Sequence, residues 1–220
     1  MEAIFSTIDS DFYMKKVIYK RFSKQEIADL PLAEFGGRIV VIFSEGEAER
    51  AVDFLLTQPF LGIDTETRPS FRRGKLNQVS LLQVATDEIC FLFRLNMMGI
   101  TPAIVRLLEN TEVPMIGLSL KDDIVSLKRR QNFTPGRFID LQKMVGQLGI
   151  EDMSLQKLYA NFFGQKISKR QQLTNWDADV LSDRQKRYAA TDAWACIQMY
   201  REIGRLEATH DYELIENEEV

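Results

Sequence analysis

The sequence predicts an α/β fold: a mixed sheet, an antiparallel three-strand meander plus parallel strands, flanked by helices. Three observations carry this expectation. The β-rich runs FLGIDTET (60–67), VSLLQVAT (79–86) and EICFLF (88–93) follow in close succession, and only Thr86 and Asp87 part the cores of the last two, as a tight hairpin requires. Beyond residue 100 the apolar residues change to helical spacing, interrupted by short apolar runs of strand length. No internal repeat, low-complexity tract or linker divides the chain, so the strands and the later helix–strand alternation belong to one sheet.

Taken in order, residues 1–36 are mixed and polar without a clear period and read as an N-terminal arm of helix and coil. RIVVIF (38–43) is a short β-rich run, and EGEAERAVDFLL (45–56) carries its apolar residues at helical spacing. FLGIDTET enters as a strand after Pro59, and a basic loop with Arg72, Arg73, Gly74 and Lys75 separates it from the hairpin. TPAIVRLLEN (101–110) reads as helix, PMIGL (114–118) as a short buried strand, KDDIVSLKRR (121–130) as helix and RFIDL (137–141) as strand. QKMVGQLG and SLQKLYANFFG read as helices, and a last long helix runs from about Ser182 to Arg205, capped within Leu181-Ser182-Asp183. ELIENEEV ends the chain as a frayed acidic tail, which divides it into an arm (1–36), a domain (37–207) and a tail (208–220).

With 220 residues, 45% apolar and 27% charged, the chain has the balance of a globular protein that folds without disulfides or a structural metal. The two cysteines, Cys90 and Cys196, lie in apolar runs and read as buried free thiols in a reducing compartment. No signal-peptide order and no apolar run of ~20 residues is present, so the expectation is a cytoplasmic protein without a membrane partner. A net charge of −4 argues against gripping nucleic acid through a broad basic surface; such a binder would need a local basic groove, or metal ions to offset its own acids.

Three acidic elements stand out. In FLGIDTET, Asp64 and Glu66 project from one face of an apolar strand, with Leu61, Ile63 and Thr65 on the other. Like charges so close repel and lose hydration, and no lysine of the strand offsets them; a divalent cation would, and oxygen-only ligands point to Mg²⁺ or Mn²⁺. A solvent-exposed strand end would also explain the pair. In IGLSLKDDIVSL (116–127) a strand ends at Gly117 and a helix begins; Asp122 reads as a cap or dipole partner, while Val125 and Leu127 leave Asp123 near the strand end. In RYAATDAWACIQMY (187–200), Tyr188 and Asp192 stack on one face of a closely packed helix, where an ionised aspartate is costly unless paired. A simple Tyr–Asp hydrogen bond is the plainer alternative there.

In order, these elements resemble the DEDDy branch of the 3′–5′ exonucleases, in particular ribonuclease D and Werner-syndrome-type exonuclease domains. LGIDTET matches the first motif. GLSLKDD matches the second, a glycine followed six residues later by aspartate, which selects Asp123 over Asp122. Tyr188 and Asp192 match the third. The stretch SLQKLYANFFGQKISKRQQLTNWDADVLSDRQKRYAATDA is also similar, and the likeness covers roughly 38–205. The chain departs from ribonuclease D in ending soon after the last helix, and its only histidine, His210, lies in the tail, away from the position a sister branch fills with histidine.

The resemblance implies a ribonuclease H-like fold and a metal-dependent exonuclease that releases nucleoside 5′-monophosphates from a nucleic acid with a free 3′ end, single-stranded DNA or RNA or a duplex end. Asp64, Glu66, Asp123 and Asp192 would hold two divalent cations, Mg²⁺ or Mn²⁺, ~3.5–4 Å apart, with Asp64 bridging both and Asp123 completing the second site. Tyr188 would orient the attacking water. Two such ions would add four positive charges, bringing the net charge of −4 to zero. Candidate strand contacts are Thr65, the clusters Arg72, Arg73, Lys75 and Lys166, Lys169, Arg170, and Trp176, which reads equally as a core plug; Phe71 carries the same choice. Two rival readings are an exonuclease-like nucleic-acid-binding module with little catalysis, and a scaffold whose acidic surface meets a basic partner. DNA against RNA, processivity, oligomeric state and pathway are not legible in the sequence.

Overall fold

A computed structural model describes residues 15–70, 74 and 76–216. The elements run β1 (Lys16–Tyr19), α1 (Lys24–Ile27), β2 (Arg38–Ile42), α2 (Glu45–Leu55), β3 (Leu61–Thr67), β4 (Val79–Ala85), β5 (Ile89–Phe93), α3 (Leu95–Met98) and α4 (Pro102–Leu108). They continue with β6 (Met115–Gly117), α5 (Leu120–Lys128), β7 (Phe138–Asp140), α6 (Leu141–Gln147), α7 (Leu155–Phe163), α8 (Asp183–Thr209) and β8 (Tyr212–Ile215).

Six strands form the main sheet in the order β2-β5-β4-β3-β6-β7. β3, β4 and β5 are the expected antiparallel meander, and β2, β6 and β7 join through parallel pairings. The period-two alternation of the central strands sends side chains to two cores. Leu61, Ile63, Leu82 and Val84 meet α2, α4 and α5, whereas Leu81, Ala85, Cys90 and Leu92 meet the alanines of α8. Both cysteines are free and buried. α8 starts sharply because Ser182 and Gln185 form a reciprocal capping box. Among the described residues no helix is long and apolar enough to cross a membrane.

Both ends of the chain differ from expectation. The acidic end does not simply fray: Tyr212–Ile215 is a strand, paired in parallel with Lys16–Tyr19 from the presumed helix-and-coil arm. The reason is tertiary. Ile18, fully buried, and the partly buried Tyr212 and Leu214 join the cluster that α6, α7 and α8 make, and four-residue strands are too short to show a period of their own. Phe35 is likewise almost fully buried, and its N–H donates to the Thr191 hydroxyl on α8.

Candidate active site

Asp64 and Glu66 leave β3 toward α8, as the pleat requires, because Gly62 shares their face and touches that helix. A Cβ at Gly62 would stand 2.0 Å from the Ala193 carbonyl oxygen, so only glycine permits this approach of strand and helix backbones. The close approach brings Asp192, the residue before Ala193, against the strand acids. Carboxylate oxygens of Asp64, Glu66 and Asp192 all lie within 4.8 Å of one another.

Asp123 arrives from the other side of the sheet. Gly117 ends β6 where a Cβ would stand 2.9 Å from the Ile63 carbonyl oxygen, and Ser119 turns into α5 through the left-handed region at φ 62°. Ser119 supplies no side-chain cap; instead the Asp140 carboxylate accepts from the N–H groups of Ser119 and Leu120, both at 3.0 Å, and also caps α6 through Gln142 N–H at 3.0 Å. Asp123 is thereby half-buried and accepts a short hydrogen bond from the Thr65 hydroxyl, while Asp122 is exposed. It stands beside the three-acid cluster rather than within it. The sequence argument for Asp123 through Val125 needs correction: Val125 is exposed, and Leu120, Ile124 and Leu127 carry the packed face, since residues two apart do not share a helix face.

Among the described residues no lysine or arginine forms an ion pair with any of the four acids. Burial, then the charges of Asp192 and Asp123, hold the Asp64 carboxyl far above the usual carboxylate range. Burial and the Asp64 charge push Glu66 up to about 10. Burial lifts Asp192 to about 7, against the opposing pull of the Tyr188 hydroxyl and the Lys169 charge, and lifts Asp123 to about 6 against its Thr65 hydrogen bond. Asp192 also has a buried carboxylate oxygen with no hydrogen-bond partner. Such a group must keep protons or gain cations. Its donors are all carboxylate oxygens, the set that suits Mg²⁺ or Mn²⁺.

Asp64, Glu66 and Asp192 line a cleft of about 290 Å³ that Tyr188, Lys169 and Gln172 share. Tyr188 packs on Trp176, ring centroids 6.1 Å apart, and burial with the Asp192 and Glu66 charges drives its phenol well above the ordinary value. Trp176 is fully buried, so the reading of it as a base contact is corrected: it is a core plug behind Tyr188. Thr65 lines the same cleft, and its hydroxyl donates to Asp123.

The second basic cluster separates. The Lys166 ammonium donates to the Ala28 carbonyl, Lys169 lines the cleft, and Arg170 lines an adjoining chamber of about 330 Å³ with Arg184 and Arg187. Tyr188 belongs to the walls of both spaces. Phe71, Arg72, Arg73 and Lys75 lie outside the described residues. Sequence reasoning missed Asp140, Arg184, Arg187 and Gln83, a fully buried residue opposite Asp64 in the β3–β4 register. Of these, only the two arginines carried a local signal, their place in the first turns of the last helix.

A family model described as 3′–5′ exonuclease matches residues 39–206. The mouse bifunctional 3′–5′ exonuclease/ATP-dependent helicase WRN is 29% identical over 188 residues, covering 81% of this chain and 13% of the mouse protein. A 3′–5′ exonuclease of Arabidopsis thaliana is 29% identical over 206 residues, covering 86% of this chain and 72% of that protein. Among solved structures, the Aedes aegypti Nibbler EXO domain superposes with a TM-score of 0.72 at 21% identity, covering 80% of this chain and 91% of that one. The shared fold is the ribonuclease H-like sheet with its flanking helices.

Proposed function

The chain belongs to the 3′–5′ exonuclease family and so carries a nuclease domain, and from that premise we propose that it is a metal-dependent enzyme of the DEDDy type. It hydrolyses the last phosphodiester bond at a nucleic-acid 3′ end and releases nucleoside 5′-monophosphates, with residues 37–207 as the catalytic unit. The observation that carries this reading is the meeting of Asp64, Glu66 and Asp192 within 4.8 Å, in a cleft walled by Tyr188.

Asp64, Glu66 and Asp192 would hold one divalent cation, and Asp64 with Asp123 a second, Mg²⁺ or Mn²⁺. When bound, such cations supply activation of the attacking water and charge stabilisation on the departing 3′ oxygen. The protein's own part is positioning. Thr65 holds the Asp123 carboxylate, and Asp140 holds the start of the helix that carries it. Tyr188, its phenol too weak an acid to give up its proton, orients the water by hydrogen bonding. Lys169 at the cleft, and Arg170, Arg184 and Arg187 in the adjoining chamber, take the strand's phosphates, which positions the strand without reading its sequence.

The test is digestion of end-labelled DNA and RNA oligonucleotides with Mg²⁺ or Mn²⁺ titrated in, comparing the parent chain with Asp64→Ala. The expected result is stepwise shortening from the 3′ end that needs the metal and disappears in the variant. The variant should melt no lower than the metal-free parent, because a buried acid among like charges is removed. Turnover retained by Asp64→Ala would defeat the assignment.

A further inference from the structure

β4 is buried at every position, and it contains just two polar residues, Ser80 and Gln83. Ser80 is accounted for: its hydroxyl donates to Asp177 at 2.7 Å. Gln83 is not. Its side chain is fully buried, and neither the amide nitrogen nor the amide oxygen has a hydrogen-bond partner. An unpaired buried amide is destabilising, and a leucine or methionine would fill the same volume without that cost. Gln83 is the direct cross-strand partner of Asp64. By the strand's alternation it shares the layer of Leu81 and Ala85, beneath Ala189, Ala190 and Ala193 of α8. Cβ atoms of such a pair lie about 4.5–5.5 Å apart, within the joint reach of the two side chains.

We propose that Gln83 is a positioning residue for Asp64: its Nε2 donates to the Asp64 carboxylate when that carboxylate holds divalent cations. An ionised carboxylate only accepts hydrogen bonds and keeps lone pairs directed away from the cations it holds, whereas the Gln83 Nε2 has two donors and no acceptor. The bond fixes the orientation of the carboxylate assigned to both cations and removes one orphan that the metal-free protein carries. No covalent step is involved.

The proposal rests on the metal-site reading above, and the test separates the two. Calorimetric titration of Mn²⁺ into the full chain is compared with Gln83→Met, which keeps the volume and loses the amide, alongside melting of both metal-free proteins. The variant should bind Mn²⁺ about 10–100-fold more weakly while its metal-free melting temperature holds or rises. A side chain that merely fills space gives no such split. If the variant binds Mn²⁺ as the parent does, the positioning role is overturned and the metal site stands. If affinity and melting temperature fall together, Gln83 is a packing residue and the proposal also fails. If the parent itself does not bind Mn²⁺, both readings fall. Should Gln83→Met not fold, the parent chain with ¹⁵N-labelled glutamine decides: Mg²⁺ should move the Gln83 side-chain amide resonances and protect them from exchange, and unmoved resonances overturn the proposal.

Discussion

Tyr188 has little freedom, because its ring lies against Trp176 and its hydroxyl faces Asp192 and Glu66. Burial and those two charges raise the phenol's pKa, which favours the neutral O–H. A neutral phenol can direct a water molecule but cannot take its proton. Tyr188→Phe keeps the ring contact with Trp176 and loses only the hydroxyl. Turnover should fall about 10²-fold, the low end for a group positioned at a proton in flight, with Mn²⁺ affinity unchanged; single-turnover rates and calorimetry check the two halves. A large loss of Mn²⁺ binding would instead make Tyr188 part of the metal site. At this scale the local faces were legible in the sequence: a strand's pleat pairs Asp64 with Glu66, and a helical turn pairs Tyr188 with Asp192. Residues whose meaning depends on what covers them were not. Trp176 read equally as core plug and base contact until the fold buried it, and Gln83 becomes notable only once the β3–β4 register places it opposite Asp64.

The element on which the site depends is α8, seated against β3 at Gly62. The obstacle to any larger residue there is the Ala193 carbonyl, backbone that cannot swing aside. Gly62→Ala should push α8 away from the strand, destabilise the protein by about 1–3 kcal/mol or more as overpacking does, and weaken Mn²⁺ binding by moving Asp192 away from Asp64. Gly204 in the same helix is the control: nothing lies within 4 Å of a Cβ there, so Gly204→Ala should stabilise, by about 0.5–1 kcal/mol. Thermal melts of both variants read the two signs, and a Gly62→Ala protein as stable as its parent would show that helix and strand are not locked at this point. The longer helices and the sheet strands were legible from periodicity and caps such as Ser182 with Gln185, whereas α1 and α3, four residues each, were not. β1 and β8 were not, because each is a few residues long and is held by the far end of the chain rather than by its own pattern.

For the molecule as a whole, the raised carboxyls make metal-free stability depend on pH with a sign opposite to that of most proteins. Asp192 at about 7 and Glu66 at about 10 hold protons in the folded state that the unfolded chain, with ordinary carboxyls, releases near pH 4. The folded state therefore binds more protons across that window. These groups leave stability intact below the unfolded values and erode it as pH rises, up to about 1.4 kcal/mol per pH unit for each group still titrating. The Asp192 share is lost by about 7, while the Glu66 share continues toward 10. Divalent cations replace those protons, so stabilisation by Mg²⁺ should grow as pH rises. Melting in EDTA between about pH 5 and pH 9 should show a falling midpoint, and the gap opened by adding Mg²⁺ should widen across the same range. Combining Glu66→Gln with Asp192→Asn removes two of the four raised carboxyls and should make the metal-free slope and the Mg²⁺ response shallower together, with Asp64 and Asp123 still titrating. A metal-free midpoint that climbs with pH, or a Mg²⁺ shift that is the same at both ends, would mean that the acids reach their charged state without help. The proposed cations would then have no buried charge to neutralise.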